Sequence, residues 1–524
     1  MMTKLKYALF VVLFSTCTLS AQNDYQKIEI IINDFIEGTT YNYPEKITSG
    51  FLPGASMFLY NSADTLLEMS VEEYAALYDN GRRGQQNRRY SEIKTIEVVN
   101  TVGYVKLQVR IPSFGLEFQD LFLFKKIDDD WKVVSKCTTA GPIPQTAEEQ
   151  THKPSKEVIM EGLNRPWSMA FISEQEAIIA EKDGDLLLVN LTDKSRKPIL
   201  GLPTDVARAI LIDTSKHEIG IYPWGAHGKK LSFNAGLFQV LLDPNFEENN
   251  YLYLSYAAMN KKEESTSKVI RGKLIGNTLS EIQVLLEAEY SHGLFHFGGA
   301  MVFGPDGKLY IAIGERNFFE YHNPDLPYAQ DVRDKRGNIY RLNPDGSIPS
   351  DNPNFGPKAV KGLYAIGIRA TQGLIVNPLD NKIWFTDHGT IQGDELNILQ
   401  AGANYGWPNK TSGKYRSKDY KPKLLPGTIF TDPIYYWSHT IAPTGLTFYN
   451  GNEFPQWKGN LIVPGLSKGN LWRLVIKEDQ VVSAEELFIN DRIRLRRAVT
   501  SPIGALYLLS DEENGKLIRV RNGL

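Results

Sequence analysis

One phrase recurs six times along the last two-thirds of this 524-residue chain: a turn rich in Pro, Asp, Asn or Gly, then an apolar run containing aromatics. The copies are SEQEAIIAEKDGDLLLV from residue 173, DPNFEENNYLYLSYA from 243, FGPDGKLYIAIGE from 303, NPLDNKIWFTDHG from 377, FPQWKGNLIVPGLSKGNLWRL from 454 and SPIGALYLLSDEENGKLIRV from 501. Each reads as a turn feeding a β-strand, and an isolated β-unit of this size has no partner for its apolar face. Stacking of like units supplies one, so all-β repeats at roughly 50–80-residue spacing point to a β-propeller. Six copies predict six blades. A pair of β-sandwiches is the alternative. Long segments between copies, such as 316–334, fall where loops gather over one face and bind ligands.

The first 150 residues follow another pattern. MMTKLKYALFVVLFSTCTLSAQ sets Lys4 and Lys6 before an apolar run from Tyr7 to Phe14, with Ser20 and Ala21 after it. That is the form of a secretory signal over residues 1–21, which predicts a periplasmic or secreted protein. Phe14-Ser15-Thr16 is not the lead-in of a lipobox, so anchoring through Cys17 is not expected. Once the signal is cleaved, Cys137 is left alone and no intramolecular disulfide forms. No later apolar run is long enough to cross a bilayer, so an integral membrane protein is not expected. With 58 basic residues against 61 acidic, there is no cationic excess to attract nucleic acid.

Residues 22–145 place apolar side chains at helical spacing over Tyr25–Phe35 and open a second helix at Ser70, three residues before Glu73, in a capping-box pattern. Alternating strands follow over 91–99, 102–111, 117–125 and 131–137. The phrases FIEGTTYNYPEKI, MSVEEYAALYDNG and FQDLFLFKKIDDDWKVVSKC resemble the NTF2-like family in its SnoaL or lumazine-binding branch. The resemblance implies an α+β cone serving as an accessory or dimerising module, and hence a homodimer. Residues 146–156 are polar and Pro-punctuated, as a linker would be.

Chemistry concentrates between Gly362 and Pro408. Two strand-like runs, 373–376 and 382–386, border turns carrying Arg369 and Gln372, then Asp387, His388, Gly389, Thr390, Asp394 and Glu395, then Asn404-Tyr405-Gly406-Trp407-Pro408. Carboxylates with exposed glycine carbonyls suit a hard cation such as Ca²⁺, and a guanidinium suits an anion. Polar turns capping a β-protein would use the same residue types.

The second region also resembles the soluble quinoprotein glucose/sorbosone dehydrogenases. The resemblance runs in order through GLNRPWSMAF, HFGGAMVFGPDGKLYIAIGE, RGNIYRLNPDGSIPSDNP, GIRATQGL, DHGTIQGDELNIL, ANYGWP, IAPTGLTFY and RIRLRRAVTSPIGALYLLSDE, covering residues 157–524. It implies an all-β six-bladed propeller that binds pyrroloquinoline quinone (PQQ) and Ca²⁺ and oxidises aldose sugars at the anomeric hydroxyl. By that resemblance His296 is the base that takes the hydroxyl proton, a task imidazole suits because it titrates near neutrality. Arg369, Gln372, Thr444, Arg492 and Arg494 would hold the cofactor, with Arg369 also stabilising the reduced oxygen. Arg492 and Arg494, two apart on a strand, would face one ligand. Gly389, Thr390, Asp394 and Tyr405 would serve the metal, and Asn234, Phe295 and His296 the sugar.

Some positions depart from the family pattern. Ala370-Thr371 replace Asn-Pro, Ser467 stands where Lys is usual, Leu495 where Asp is usual, and Phe295 where glucose-specific members carry Asp. The expected reaction passes hydride to the quinone and electrons to an external acceptor, a quinone or cytochrome, since no C-x-x-C-H haem motif is present. Two rival readings stay open. One is a non-catalytic propeller that binds glycan or a protein partner, and the other a lactonase-like hydrolase using metal alone.

Overall fold

A computed structural model describes residues 24–523 except 61–66, 80–81, 86, 88, 112–115, 143–152, 209, 214–229, 234–235, 292–294, 317–325, 417–419, 421–426, 438, 468, 489–490 and 492. The expected signal segment with Cys17, and the candidates Asn234 and Arg492, lie outside the described residues. The chain divides into two compact units, 1–151 and 152–524.

In the first unit a helix over 24–41 sets Ile28, Ile32 and Phe35 on one buried face. That is the i, i+4, i+7 stripe from which helices pack. The second helix, Val71–Ala76, begins at the capping box expected: Glu73 N–H donates to Ser70 Oγ at 3.2 Å, and Ser70 N–H to the Glu73 carboxylate at 2.8 Å. Both lie against a six-stranded sheet whose last four strands, Tyr90–Val99, Val102–Ile111, Leu116–Ile127 and Asp130–Pro142, form an antiparallel meander. The alternation of Val105, Leu107 and Val109 turns one face of it into the core. Two strands and a short helix go beyond the sequence pattern. Phe51–Leu59 carries Pro53-Gly54, a turn signal that hides a strand, and pairs in parallel with Asp130–Pro142. Leu67–Ser70 is too short to show alternation, and the helix Pro44–Thr48 spans a single turn.

The second unit contains six four-stranded antiparallel sheets and one two-stranded ribbon among the described residues. Each recurring phrase supplies the turn into a second strand, and that strand itself: Glu176–Glu181, Tyr251–Met259, Leu309–Ile313, Ile383–Asp387, Leu461–Pro464 and Leu506–Ser510. The first strands pack on one another. Pro166–Phe171 contacts Leu237–Leu242, which contacts Gly298–Phe303, which contacts Gly373–Val376; Thr447–Phe448 contacts Leu495–Thr500, which returns to Pro166–Phe171. The sixth sheet draws its fourth strand from the start of the unit: Lys153–Leu163 lies antiparallel to Gly515–Gly523. Residues 153–156, read as linker from their polarity, are therefore the first residues of that strand. Being at a sheet edge, they need no apolar side chains, and Pro154 is tolerated there.

First strands meet too closely for water, so their polar groups are satisfied from sheet to sheet. Ser168 Oγ donates to Phe238 O at 2.8 Å and accepts from Val240 N–H at 2.9 Å. The Gln239 amide donates to Met301 O at 2.8 Å and accepts from Met301 N–H at 2.9 Å. Ser255 Oγ donates to Gly299 O at 2.6 Å, and Ala498 N–H to Gly445 O at 2.8 Å. Gly445 must be glycine, because a Cβ there would lie 2.1 Å from Arg497 Cδ.

Ser168 is fully buried. Ser168→Ala leaves a donor and an acceptor unmet and is expected to lower the stability of the second unit by about 1–3 kcal/mol. Denaturant unfolding followed by tryptophan fluorescence measures this. A midpoint equal to wild type would show that the bridge contributes nothing.

Candidate active site

The chain turns sharply at Phe295-His296-Phe297. His296 has φ of +50°, a conformation uncommon outside glycine, and Gly298 and Gly299 follow at +73° and +96°. Three contacts hold this turn. His296 Nδ1 lies 2.7 Å from Glu315 Oε1, with both side chains largely buried. Gly314 packs so tightly beneath that a Cβ would lie 1.8 Å from His296 O. The buried guanidinium of Arg316 donates from Nε to Phe295 O at 3.1 Å, sits 3.7 Å over the Phe297 ring, and is anchored on Ser265 O and Oγ. A carboxylate on Nδ1 fixes that nitrogen as the protonated one and leaves Nε2 as the basic atom.

The Glu315 N–H donates to Arg369 O at 2.9 Å, which ties the histidine pair to the next sheet. Residues 369–371 are wrapped around Asp387, whose carboxylate accepts from Arg369 N–H and Ala370 N–H at 2.7 Å each and from Thr371 Oγ1 at 3.0 Å. Burial still pushes Asp387 up to about 6 against these donors. The Arg369 side chain lies 5.2 Å over Trp407 and donates to Gly389 O at 2.6 Å. His388 is held neutral by burial, at about 4, with Nε2 against Pro443 O at 2.7 Å.

Gln372 leads to the cationic part of the site. Its Oε1 accepts from Arg496 Nη1 at 2.5 Å, and Arg496 Nη2 lies 2.9 Å from Asp511 Oδ2. Arg494 Nη2 reaches the same oxygen at 2.9 Å, and Lys182 Nζ lies 3.7 Å from Asp511 Oδ1. Three cations thus surround one carboxylate. Burial opposes ionisation of Asp511, but Arg496, Lys182 and Arg494 outweigh it and hold the carboxyl far below its usual range. Burial, helped by Arg496, pushes Lys182 down to about 8. Arg496 and Lys182 are largely buried and Arg494 is half exposed, and this excess of positive charge suits an anion with more than one carboxylate.

Hydrogen bonds thus tie the His296–Glu315 pair to Arg369, and Gln372, three residues further on, to Arg496, Asp511 and Arg494; the Phe295 ring lies 6.1 Å from that of His296. Thr444, fully buried, donates to Pro464 O at 3.3 Å and approaches Leu495 O at 3.5 Å. The strand begins at Leu495, so Arg494 precedes it and the expected in-strand spacing of 492 and 494 does not apply. Within reach of Gln372 and Asp511, the partner of Arg494 is Arg496, two residues later. The sequence pattern does not single out Arg496, Glu315, Lys182 or Asp511. The run RIRLRR holds two overlapping R-x-R pairs, and of its described arginines Arg494 and Arg496 lie against Asp511.

Of the residues expected to hold a metal through Asp394 and the carbonyls of Gly389, Thr390 and Tyr405, three are engaged within the protein as they stand. Gly389 O accepts from Arg369 and Thr390 O from Arg416 Nη2 at 3.0 Å, so each carbonyl faces a guanidinium. Asp394 accepts backbone N–H groups from Gly389 at 2.8 Å and from Ile441 and Ala442 at 2.7 Å each, which makes it the shaper of this loop. Among the described residues, no three His, Cys, Asp or Glu side chains gather as metal ligands.

Comparison with known proteins agrees with this geometry. A family model described as "Glucose / Sorbosone dehydrogenase" matches residues 163–519, and one described as "Putative lumazine-binding" matches residues 23–137. The aldose sugar dehydrogenase YliI of Escherichia coli is 31% identical over 374 residues, which are 70% of this chain and 92% of that protein. Quinoprotein glucose dehydrogenase B of Acinetobacter calcoaceticus is 25% identical over 70% of this chain and 87% of its own length. The apo-form structure of the E. coli soluble aldose sugar dehydrogenase superposes with a TM-score of 0.61 at 29% identity, covering 71% of this chain and all of that one. The PQQ-bound aldose sugar dehydrogenase of Streptomyces coelicolor, at 22% identity, 71% coverage of this chain, 98% of that one and a TM-score of 0.54, shares the fold. The chain therefore belongs to the glucose/sorbosone dehydrogenase family and carries, ahead of that domain, an NTF2-like domain of the lumazine-binding type.

Proposed function

We propose that this protein is an exported, PQQ-dependent dehydrogenase of aldose sugars, built as an NTF2-like module before a six-bladed β-propeller. The observation that carries the reading is the continuous chain from the His296–Glu315 pair through Arg369 and Gln372 to the Arg494–Arg496–Lys182 cluster. It links a positioned base to a cationic site suited to an anion. The six four-stranded sheets are the blades, with Lys153–Leu163 closing the ring. Family membership and the relatives named as sugar dehydrogenases support the same reading.

When bound, PQQ supplies an ortho-quinone that accepts hydride from carbon. The protein's own part is electrostatic and positional. His296 Nε2 takes the proton of the anomeric hydroxyl as hydride departs, and the Glu315 carboxylate on Nδ1 stabilises the imidazolium that results. Arg316 keeps the imidazole in place through the Phe295 carbonyl on one side of it and the Phe297 ring on the other. Arg494, Arg496 and Lys182 would hold the carboxylates of the cofactor, and Arg369 would supply positive charge to its quinone. Phe295 offers the sugar an apolar edge, which favours aldoses broadly over glucose alone. Calcium, expected from the resemblance, would have to displace two guanidinium groups from the Gly389 and Thr390 carbonyls, and no step is assigned to it. Electrons leave to an external quinone or cytochrome.

Two substitutions separate proton removal from anion holding. His296→Ala is expected to leave PQQ binding intact and to slow sugar-dependent bleaching of the quinone absorbance by about 10²–10⁴-fold. A variant that reduces the quinone at the wild-type rate removes His296 from the mechanism. Arg496→Ala is expected to weaken PQQ binding about 10–100-fold, the worth of a buried charge-assisted hydrogen bond, with turnover recovering at saturating cofactor. Spectral titration of the apo-protein gives both affinities. Unchanged PQQ affinity in Arg496→Ala would place the cofactor elsewhere.

A further inference from the structure

The interior of the N-terminal unit contains charges that its own packing does not explain. Lys136 is 2% exposed, Asp120 3% and Arg89 8%, all inside a shell otherwise made of Phe35, Phe122, Val109 and other apolar residues. Register brings the first two together: Phe122 is opposite Lys136 and Asp120 opposite Thr138 on neighbouring strands. Lys136 Nζ lies 2.9 Å from Asp120 Oδ1 and also donates to Thr138 Oγ1, which donates to the same carboxylate oxygen at 2.7 Å. Lys136 and Asp120 therefore satisfy each other.

Arg89 is different. Its Nη1 donates to the Tyr78 hydroxyl at 2.8 Å, and Tyr78 is 3.0 Å from the Tyr74 hydroxyl. A phenol accepts a hydrogen bond but cancels no charge. Arg89 Nε is buried without a hydrogen-bond partner, and so is the hydroxyl of Ser91. Ser91 faces inward, since it pairs across the strands with the core residue Val109. Two cations thus share the interior with Asp120, which is already bridged to one of them. A buried unpaired cation costs several kcal/mol, and an ordered water can take up its hydrogen bonds but not its charge. The missing partner is an anion.

The surroundings define its type. The Lys136 ammonium is 5.7 Å from the ring centroids of both Tyr74 and Phe122 and 6.0 Å from that of Phe35. Tyr74 is stacked with Phe35 at 6.1 Å. Cationic donors and a hydroxyl at one end, with aromatic faces beside them, recognise a flat apolar body bearing one carboxylate. We propose that the N-terminal unit is a binding domain for a small aromatic or conjugated monocarboxylate, received by Arg89 and Ser91. The site lies within the first unit and is independent of the sugar-oxidising reading.

Sodium benzoate serves as the probe and benzamide as its neutral isostere, added to the full-length protein at constant ionic strength and followed by calorimetry. The wild type is expected to bind one benzoate per chain and to bind benzamide at least tenfold more weakly. Arg89→Gln is expected to weaken benzoate binding at least tenfold, and Ser91→Ala severalfold. Ser91→Ala keeps the test valid if Arg89→Gln does not fold. Arg496→Gln, which alters the other cationic site, is expected to bind benzoate as wild type does. The proposal is overturned by absence of benzoate binding, by equal binding of benzamide, by affinity unchanged in the Arg89 and Ser91 variants, or by loss of binding in Arg496→Gln.

Discussion

The second unit depends on satisfying the backbone where its first strands converge. Where first strands pack on one another they bury N–H and C=O groups, and each left unmet costs as much as several favourable contacts return. Ser168, Ser255 and Gln239 meet this demand by bonding from one sheet to the next. The same cross-links position the chemistry. Gly299 and Met301 are held by Ser255 and Gln239, and they lie just after the turn that presents His296.

The site inherits this economy. His296 is not placed by its own strand alone. Glu315 orients the ring, Gly314 allows the backbone to approach, and Arg316 holds the residues on either side. Arg369 and Gln372 belong to the following sheet, and Arg494 and Arg496 to the last. The histidine is paired with a carboxylate from its own sheet, and the cations gather around Asp511 in the last one.

Much of this was legible in the chain. The six phrases located every second strand because turn chemistry and apolar alternation are local properties. The capping box at Ser70 and Glu73 was readable for the same reason. His296, Arg369 and Gln372 were candidates because of the phrases around them, and the structure places His296 against Glu315 and Gln372 against Arg496. What escaped depended on contacts between distant residues. Arg496 is indistinguishable in RIRLRR until Asp511 lies against it, and Glu315 is an ordinary strand-end acid until His296 arrives 2.7 Å away. Asp394 illustrates the converse: a carboxylate among glycines reads as a metal ligand, yet three backbone N–H groups already occupy it. Phe51–Leu59 was hidden because Pro53-Gly54 spoils the local pattern of a strand whose partner lies some 80 residues away.

The pairing of Lys153–Leu163 with Gly515–Gly523 also sets an order of events during synthesis. A ribosome releases residues 24–142 early, and their sheet contains every strand it needs. The strand at 153–163 emerges next and must wait for the last residues of its sheet, with five other sheets made in between. Until then that strand has no neighbour on either edge, and in the finished sheet its outer edge stays open. Its opening residues, Lys153, Pro154, Ser155 and Lys156, are of the kind that discourage a stray strand from adding to such an edge. The polarity that reads as a linker in the sequence thus protects the nascent chain while the seam is open.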